Sequence, residues 1–320
     1  MRTLLVHNPT AGTGDHEKEE LLAVLRLAGH EVTYTSTKSD EFPKMLEAPF
    51  ELVVVAGGDG TVRKVVTNLK HRDSALAILP LGTANNIARS LGMTGDRQEM
   101  ANGWNEGLRE RLDVGIAVGP WGEKSFIEGV GIGALAATVS EEVGSDFEGD
   151  KRILIGRDAF RKELKEAKPL DLQLTIDGKP LKGDFLMIEI LNNRYTGPAL
   201  PLVPNASPGD GTFDIVVVPE KKRDDMLAWL GKPENSKPPV EIKRGKVITL
   251  EWSGKPLLRV DDALVKSGKG DQKAEIRLHE EPLIIMRWRP SGRKTTRKGR
   301  KKSGRKKASG EEAKRPLEEA

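Results

Sequence analysis

Three times within the first ninety residues, a short apolar run gives way to a glycine-rich turn and then to a helical pattern. The apolar runs are residues 3–8, 52–56 and 75–79, and the turns are residues 8–14, 57–61 and 81–86. Short continuous apolar runs fit strands buried on both faces. In residues 15–28, Leu21, Leu22, Val24, Leu25 and Ala28 share a helical face, and Gly29 stops the pattern. Residues 40–47, 61–69 and 85–91 carry shorter helical patterns, and residues 31–36 read as a further strand. This β-α-β-α order predicts a parallel sheet covered by helices, a three-layer α/β unit. Ligands of such sheets bind beyond the carboxyl ends of the strands, so the three turns are expected to converge on one crevice.

Beyond about Val114 the texture changes to short strand-like runs at turn-like spacing: residues 170–176, 179–183, 185–191, 213–218, 240–252, 257–261, 274–278 and 283–288. Asp177-Gly178 is a hairpin signal between the first two. Residues 151–167 and 221–231 read as helices. The expected second unit is a mainly antiparallel β domain. The division runs 1–115, 116–289 and a tail, 290–320, with the last strand a candidate to return to the first unit. Two globular units fit the length, because single cores stop growing near about 250–300 residues.

Composition narrows the chemistry. No cysteine is present, which excludes disulfides, Cys-ligated zinc, iron–sulfur clusters and thiol nucleophiles. Five histidines without an HExxH pair argue against a histidine-built metal site. No apolar run approaches the ~20 residues of a membrane span. Met1 leads directly into a strand pattern rather than a signal peptide, so the expected location is the cytoplasm.

The three turns carry the candidate binding chemistry. In Asn8-Pro9-Thr10-Ala11-Gly12-Thr13-Gly14, glycines permit close ligand approach, and the following helix offers free N–H groups to an anion. A plain strand-to-helix turn is the alternative. Gly57-Gly58-Asp59-Gly60-Thr61 is more specific. Three glycines let backbone amides crowd a phosphate, and Asp59 then needs Mg²⁺ between itself and that phosphate, or a proton-transfer role. The competing reading has Asp59 capping the helix. In the third turn Gly82 and Thr83 suit phosphate contact. Asn85 or Asn86 is placed to read an adenine or ribose edge, unless Asn85 is the helix cap. Neither a Walker A loop nor a GxGxxG turn is present; Gly129-Val130-Gly131-Ile132-Gly133 has the wrong spacing.

Taken in order, Asn-Pro-x-x-Gly, Gly-Gly-Asp-Gly-Thr and Pro-x-Gly-Thr-x-Asn resemble the diacylglycerol kinase catalytic family, which includes sphingosine kinases and bacterial lipid kinases and is distantly related to NAD kinases. Asp113-Val114-Gly115, residues 126–133, Pro204-Asn205-Ala206, Asp210-Gly211-x-Phe213-Asp214 and Val260-Asp261 continue the resemblance. It implies an ATP- and Mg²⁺-dependent lipid kinase with a β-sandwich second domain. The implied nucleotide contacts are Asn8, Pro9, Thr10, Gly12, Gly57, Gly58, Gly60, Thr61, Gly82, Thr83 and Asn85. Asp59 would organise Mg²⁺, and Asp261 would deprotonate or orient the lipid hydroxyl; either acid is a candidate base. Asp210 is a candidate ligand of a second Mg²⁺, with a plain Asp-Gly turn as the alternative. A soluble-substrate enzyme of the NAD kinase type is the more distant reading.

Two positions depart from the family pattern. Asn86 stands where the family often has Asp, and Val260-Asp261-Asp262-Ala263 replaces Val-Asp-Gly-Glu. Ala263 supplies no carboxylate. Asp262 replaces a glycine, so a positive φ is expected to strain the turn there. A catalytically impaired member that still binds nucleotide or lipid is therefore the alternative function.

Charge divides the chain. Residues 293–307 hold ten basic residues and no acidic one. The tail 290–320 has 12 Lys+Arg and 4 Asp+Glu, leaving residues 1–289 with a net charge of −4. A disordered tail of this kind supports sequence-independent contact with anionic lipid headgroups, each Lys or Arg contributing about 1 kcal/mol. The alternatives are a nucleic-acid backbone or a solvated tail with no partner. A peripheral membrane association follows from the first reading, and a homodimer is kept as a candidate assembly.

Overall fold

The computed structural model describes residues 1–14, 16–139 and 149–288. Asp15 and the basic tail lie outside the described residues. Strands β1 (Arg2–His7), β2 (Glu31–Ser36), β3 (Leu52–Gly57) and β4 (Ala75–Pro80) form a parallel sheet in the order β2-β1-β3-β4. Every residue of β3 is buried, so both faces of the sheet are covered. Helices α1 (Lys18–Leu27), α2 (Phe42–Met45), α3 (Asp59–Asn68), α4 (Asn86–Ser90) and α5 (Arg97–Gly103) supply the cover. The chain leaves β1 toward β2 on one side and reaches β3 on the other, so the strand order reverses between β1 and β3. The first two glycine-rich turns flank that switch point, where open α/β sheets bind ligands.

After β5 (Leu108–Leu112) the chain enters a sandwich of two six-stranded antiparallel sheets. One contains β6 (Gly115–Gly119), β7 (Gly122–Phe126), β9 (Leu172–Ile176), β10 (Lys179–Leu181), β14 (Val247–Trp252) and β17 (Gln272–Leu278). The other contains β8 (Gly129–Gly133), β11 (Phe185–Leu191), β12 (Phe213–Pro219), β13 (Glu241–Gly245), β15 (Leu258–Val260) and β16 (Ala263–Val265). Alternation along β12 explains its unbroken apolar run: Phe213, Ile215 and Val217 face the sandwich core, while Val216 and Val218 join a second core. Helices α6 (Ala134–Ala137), α7 (Gly149–Glu166) and α8 (Arg223–Trp229) build that second core with Leu135, Phe160, Leu164, Met226 and Trp229. Strand β18 (Leu283–Arg287) then returns to the first sheet, parallel to β4 and antiparallel to β5.

The hairpin signal at Asp177-Gly178 joins β9 to β10, with φ of 47° and 77° at its two residues, as a two-residue turn matching the strand twist requires. Residues 240–252 are not one strand. The run breaks at Lys246, leaving β13 in one sheet and β14 in the other. Asp177 Oδ1 accepts the N–H of both Lys246 and Val247 at 2.9 Å and so fixes the corner. That side chain comes from a distant hairpin, which local periodicity does not register.

Candidate active site

The three turns meet through their glycines. A Cβ on Gly12, which has φ +57°, would lie 2.2 Å from the carbonyl oxygen of Leu81. A Cβ on Gly82 would lie 2.5 Å from the Cα of Gly58. Only residues without side chains allow backbone to approach backbone this closely. Asn8 joins the first two turns: its Nδ2 donates to Thr61 Oγ1 at 3.1 Å, and its Oδ1 accepts from Thr10 Oγ1 at 3.1 Å.

A chain of side chains supports the first turn from below. The carbonyl of Ala11 can only accept, so His16 Nε2 donates to it at 2.8 Å. Neutral His16 then has a bare Nδ1, to which His7 Nε2 donates at 3.0 Å. His7 Nδ1 is left to accept from the Tyr34 hydroxyl at 3.3 Å. Burial, with His16 alongside, lowers the His7 pKa and favours this neutral arrangement.

Above the turns lies a cleft of about 650 Å³, within the range of small-molecule sites. Asn8, Thr10, Gly12, Gly58, Gly60, Thr61, Gly82 and Thr83 line it, as do Asp59 and Asp261. Pro9, Gly57 and Asn85 stand outside the lining. Gly57 has a local reason: a Cβ there would strike the Thr61 side chain at 2.5 Å. The lining also includes the apolar side chains Leu135, Val139, Ile153 and Pro198, with Thr138 and Arg152 among them.

Asparagine 85 neither caps α4 nor is free to read a base. It sits in the left-handed region at φ 49°, and its amide bridges the N–H and carbonyl of Gly82 at 3.0 and 2.6 Å. The cap comes from Asp59, whose two oxygens accept the N–H groups of Asn86 and Ile87 at 2.9 Å each. Thus Asp59 caps the helix of the third turn rather than its own. Burial, then the charge of Glu128, raises the Asp59 pKa to about 7 against those donors.

Across the cleft, Asp261 occupies the turn between β15 and β16. Its Oδ1 accepts the N–H groups of Ile127, Glu128 and Gly129 at 3.2, 2.8 and 3.2 Å. Burial, again followed by Glu128, raises its pKa to about 7. The positive φ of this turn falls on Asp261, at 52°, and not on Asp262. The strain expected at Asp262 is therefore absent, and aspartate tolerates the left-handed region better than most residues. Asp262 pairs with Arg63 of α3 at the rim, and Ala263 is exposed.

Glu128 and Arg259 stand at the centre of the site, and neither is singled out by the motifs. Glu128 accepts from Asn86 Nδ2 at 3.0 Å, Thr196 Oγ1 at 2.7 Å and Gly197 N at 3.1 Å. Arg259 donates to Glu189 Oε2 at 2.5 Å, Thr196 Oγ1 at 2.6 Å and the Asp261 carbonyl at 2.5 Å. Burial opposes the charge on Arg259, yet Glu189, Glu128 and Asp261 around it raise its pKa overall. The available signals were an acid heading a glycine-rich strand and an arginine set between Leu258 and Val260.

The donor set suits a hard cation. Asp59 and Asp261 offer carboxylates, and the buried Asn86 Oδ1 has no hydrogen-bond partner. Among the described residues no group of three or more His, Asp or Glu is arranged to hold a metal. The two carboxylates and the amide oxygen fit Mg²⁺, which keeps waters and binds through one or two carboxylates plus substrate phosphates. Asp210 does not fit its expected metal role. It lies off the cleft, with Oδ1 accepting from Thr212 Oγ1 at 2.9 Å and Oδ2 paired to Arg244. The guanidinium already supplies the positive charge a metal would bring, so the Asp-Gly turn is the better description.

A free-protein stability profile checks the two aspartates. A carboxyl with a raised folded pKa stabilises fully below its ordinary value of 3.8, and that contribution is lost as pH rises through about 7. The melting temperature is expected to fall as pH rises from 3.8 to about 7 and to level off above, with a shallower fall in Asp59→Asn. Equal slopes in both proteins would contradict the assignment.

Comparison with known proteins agrees with this architecture. The family model described as the diacylglycerol kinase catalytic domain matches residues 2–117, and that of the YegS C-terminal NAD kinase beta sandwich-like domain matches residues 150–280. A diacylglycerol kinase of Bacillus subtilis is 28% identical over 231 residues, covering 68% of this chain and 73% of that protein. One from Staphylococcus saprophyticus is 26% identical over 278 residues, covering 81% and 88%. A solved diacylglycerol kinase structure from Bacillus anthracis superposes with a TM-score of 0.64 at 21% identity, covering 90% of this chain and 97% of that one. This structural likeness bears on the fold alone.

Proposed function

The chain belongs to the diacylglycerol kinase catalytic-domain family, and from that membership we propose that it transfers the γ-phosphoryl group of ATP to a lipid hydroxyl. One observation carries the reading: half-buried Asp59 and buried Asp261 line one cleft that also holds the glycines of the three turns and the apolar side chains Leu135, Val139 and Ile153. Phosphoryl transfer asks for positioning and charge neutralisation more than covalent chemistry. The glycine turns bring backbone close to the phosphates, while Arg63, Lys64 and Arg152 add positive charge along the cleft. Mg²⁺, when bound with the nucleotide, would neutralise the phosphates beside Asp59. Asp59 and Asp261 are both candidate bases: each has its pKa raised to about 7, which suits proton acceptance near neutrality, and each has both oxygens accepting backbone N–H groups. The apolar wall fits the lipid next to its hydroxyl.

The impaired-member reading rests on Ala263. The Asp261 turn weighs against it, because backbone N–H groups hold that carboxylate in position without the missing glutamate. An acceptor panel separates the readings: γ-labelled ATP with Mg²⁺ against diacylglycerol, a sphingoid base, a glycolipid and NAD. Label on a lipid supports the proposal, label on NAD replaces it, and ATP binding without transfer favours the impaired enzyme.

Among the described residues no helix is long and apolar enough to cross a membrane. We further propose that the basic tail brings the kinase to an anionic bilayer. Deleting residues 293–320 is expected to preserve the melting temperature and reduce co-sedimentation with phosphatidylglycerol vesicles by at least about tenfold, from ten charges at about 1 kcal/mol each. Unchanged sedimentation contradicts anchoring.

A further inference from the structure

We propose that Glu128 is a positioning residue that carries, from the sandwich side of the cleft, the negative charge that position 86 lacks. The inference rests on the kinase reading above. Three observations support it.

First, Glu128 joins the two aspartates. Its backbone N–H donates to Asp261 Oδ1 at 2.8 Å, and its Oε2 accepts from Asn86 Nδ2 at 3.0 Å. Asn86 in turn donates its backbone N–H to Asp59 Oδ2 at 2.9 Å. Residue 128 thus links the two units, to Asp261 through its backbone N–H and to the Asn86 that meets Asp59 through its side chain.

Second, the Asn86 amide has a forced orientation. Its Nδ2 meets two acceptors, Glu128 Oε2 and the Gly197 carbonyl at 2.9 Å. A flipped amide would set oxygen against oxygen at both contacts. For the same reason a carboxylate at 86 cannot stand beside an ionised Glu128. The pair accommodates one negative charge, and here residue 128 holds it.

Third, Glu128 is held for this task. Its Oε1 takes Thr196 Oγ1 and Gly197 N, with Arg259 Nη1 at 3.5 Å, whereas the one side-chain donor on Oε2 is Asn86. Both residues line the cleft. Burying a carboxylate is costly, but both Glu128 oxygens accept, and an amide, with one oxygen, cannot satisfy the donors on both sides, so the contacts themselves call for the carboxylate.

The test compares the wild-type protein with E128Q, N86D and N86D/E128Q. E128Q is expected to lower kcat by up to about 10²-fold, the upper end for a group that orients others from behind them, with the KM for ATP little changed. N86D places two carboxylates in contact and is expected to be at least as impaired. The double variant reverses the donor and acceptor and moves the charge to 86, so it should recover about tenfold over E128Q, incompletely because it cannot donate to Gly197. Wild-type kcat in E128Q, or a double variant no faster than either single, overturns the proposal. Melting temperatures of the four free proteins give a readout independent of activity. A double variant more stable than the summed singles supports a shared charge, and additive shifts overturn it. If the wild-type protein labels no acceptor, the kinase reading fails while this thermal cycle still decides the pairing.

Discussion

The Asp59→Asn variant is expected to transfer phosphoryl groups about 10²–10³-fold more slowly than the wild-type chain, the range for losing one preorganised electrostatic group, while remaining folded. The two effects separate because the fold and the chemistry ask opposite things of this side chain. Burial, and Glu128 beyond it, disfavour the Asp59 carboxylate, so a neutral amide removes a charge the folded state opposes. One of the two N–H groups of α4 loses its acceptor, which costs about 1 kcal/mol in the range of a helix cap. Stability should therefore change little. On the proposed function the nucleotide phosphates lose more, because the carboxylate that would hold Mg²⁺ beside them is replaced by a neutral amide. Initial rates measured beside thermal melts check both halves. A folded variant with the wild-type rate would remove Asp59 from the mechanism.

The second large effect concerns stability. Arg259→Leu is expected to destabilise the protein by ~3–5 kcal/mol, the range for breaking a buried ion pair from one side. Arg259 is 2% exposed and Glu189 is fully buried. Removing the guanidinium leaves the Glu189 carboxylate without its ion partner, with Oε1 already lacking a hydrogen bond. The carboxylate has no room to withdraw, because Gly131 sits against it. A Cβ on Gly131 would lie 2.4 Å from Glu189 Oε1. The same substitution removes the donor on the Asp261 carbonyl, so the turn that carries Asp261 should loosen as well. Equilibrium urea unfolding measures the loss. An R259L/E189L double variant should recover part of it, since paired apolar replacement of a buried ion pair is often near neutral. A double variant less stable than R259L would contradict this account of the pair.

These two sites also show what the amino-acid order makes legible. Asp59 is readable because three glycines around one acid, after a strand as apolar as residues 52–56, imply close backbone approach at a strand end. The doubly buried strands are readable for the same reason: parallel sheets covered on both faces need continuous apolar runs. Asp261 is readable only through its neighbours in a resemblance, and its left-handed backbone is assigned to Asp262 by that route. Glu128, Arg259 and Glu189 stay hidden because each looks like a surface charge within an ordinary strand. Their burial depends on one another, and the partners come from β8, β11 and β15. The strand break at Lys246 is hidden likewise, because Asp177 fixes it from another hairpin. Long-range polar pairing leaves no periodic trace, whereas packing does.

The central claim is transfer of a phosphoryl group from ATP to a lipid. The most direct measurement is incubation of the purified full chain with γ-labelled ATP, Mg²⁺ and a total lipid extract, with the labelled product identified by mass. The account predicts a lipid whose mass has grown by one phosphoryl group, absent without Mg²⁺ and nearly absent with Asp59→Asn. ATP bound normally, with label appearing only as free phosphate or on a water-soluble acceptor, would contradict it.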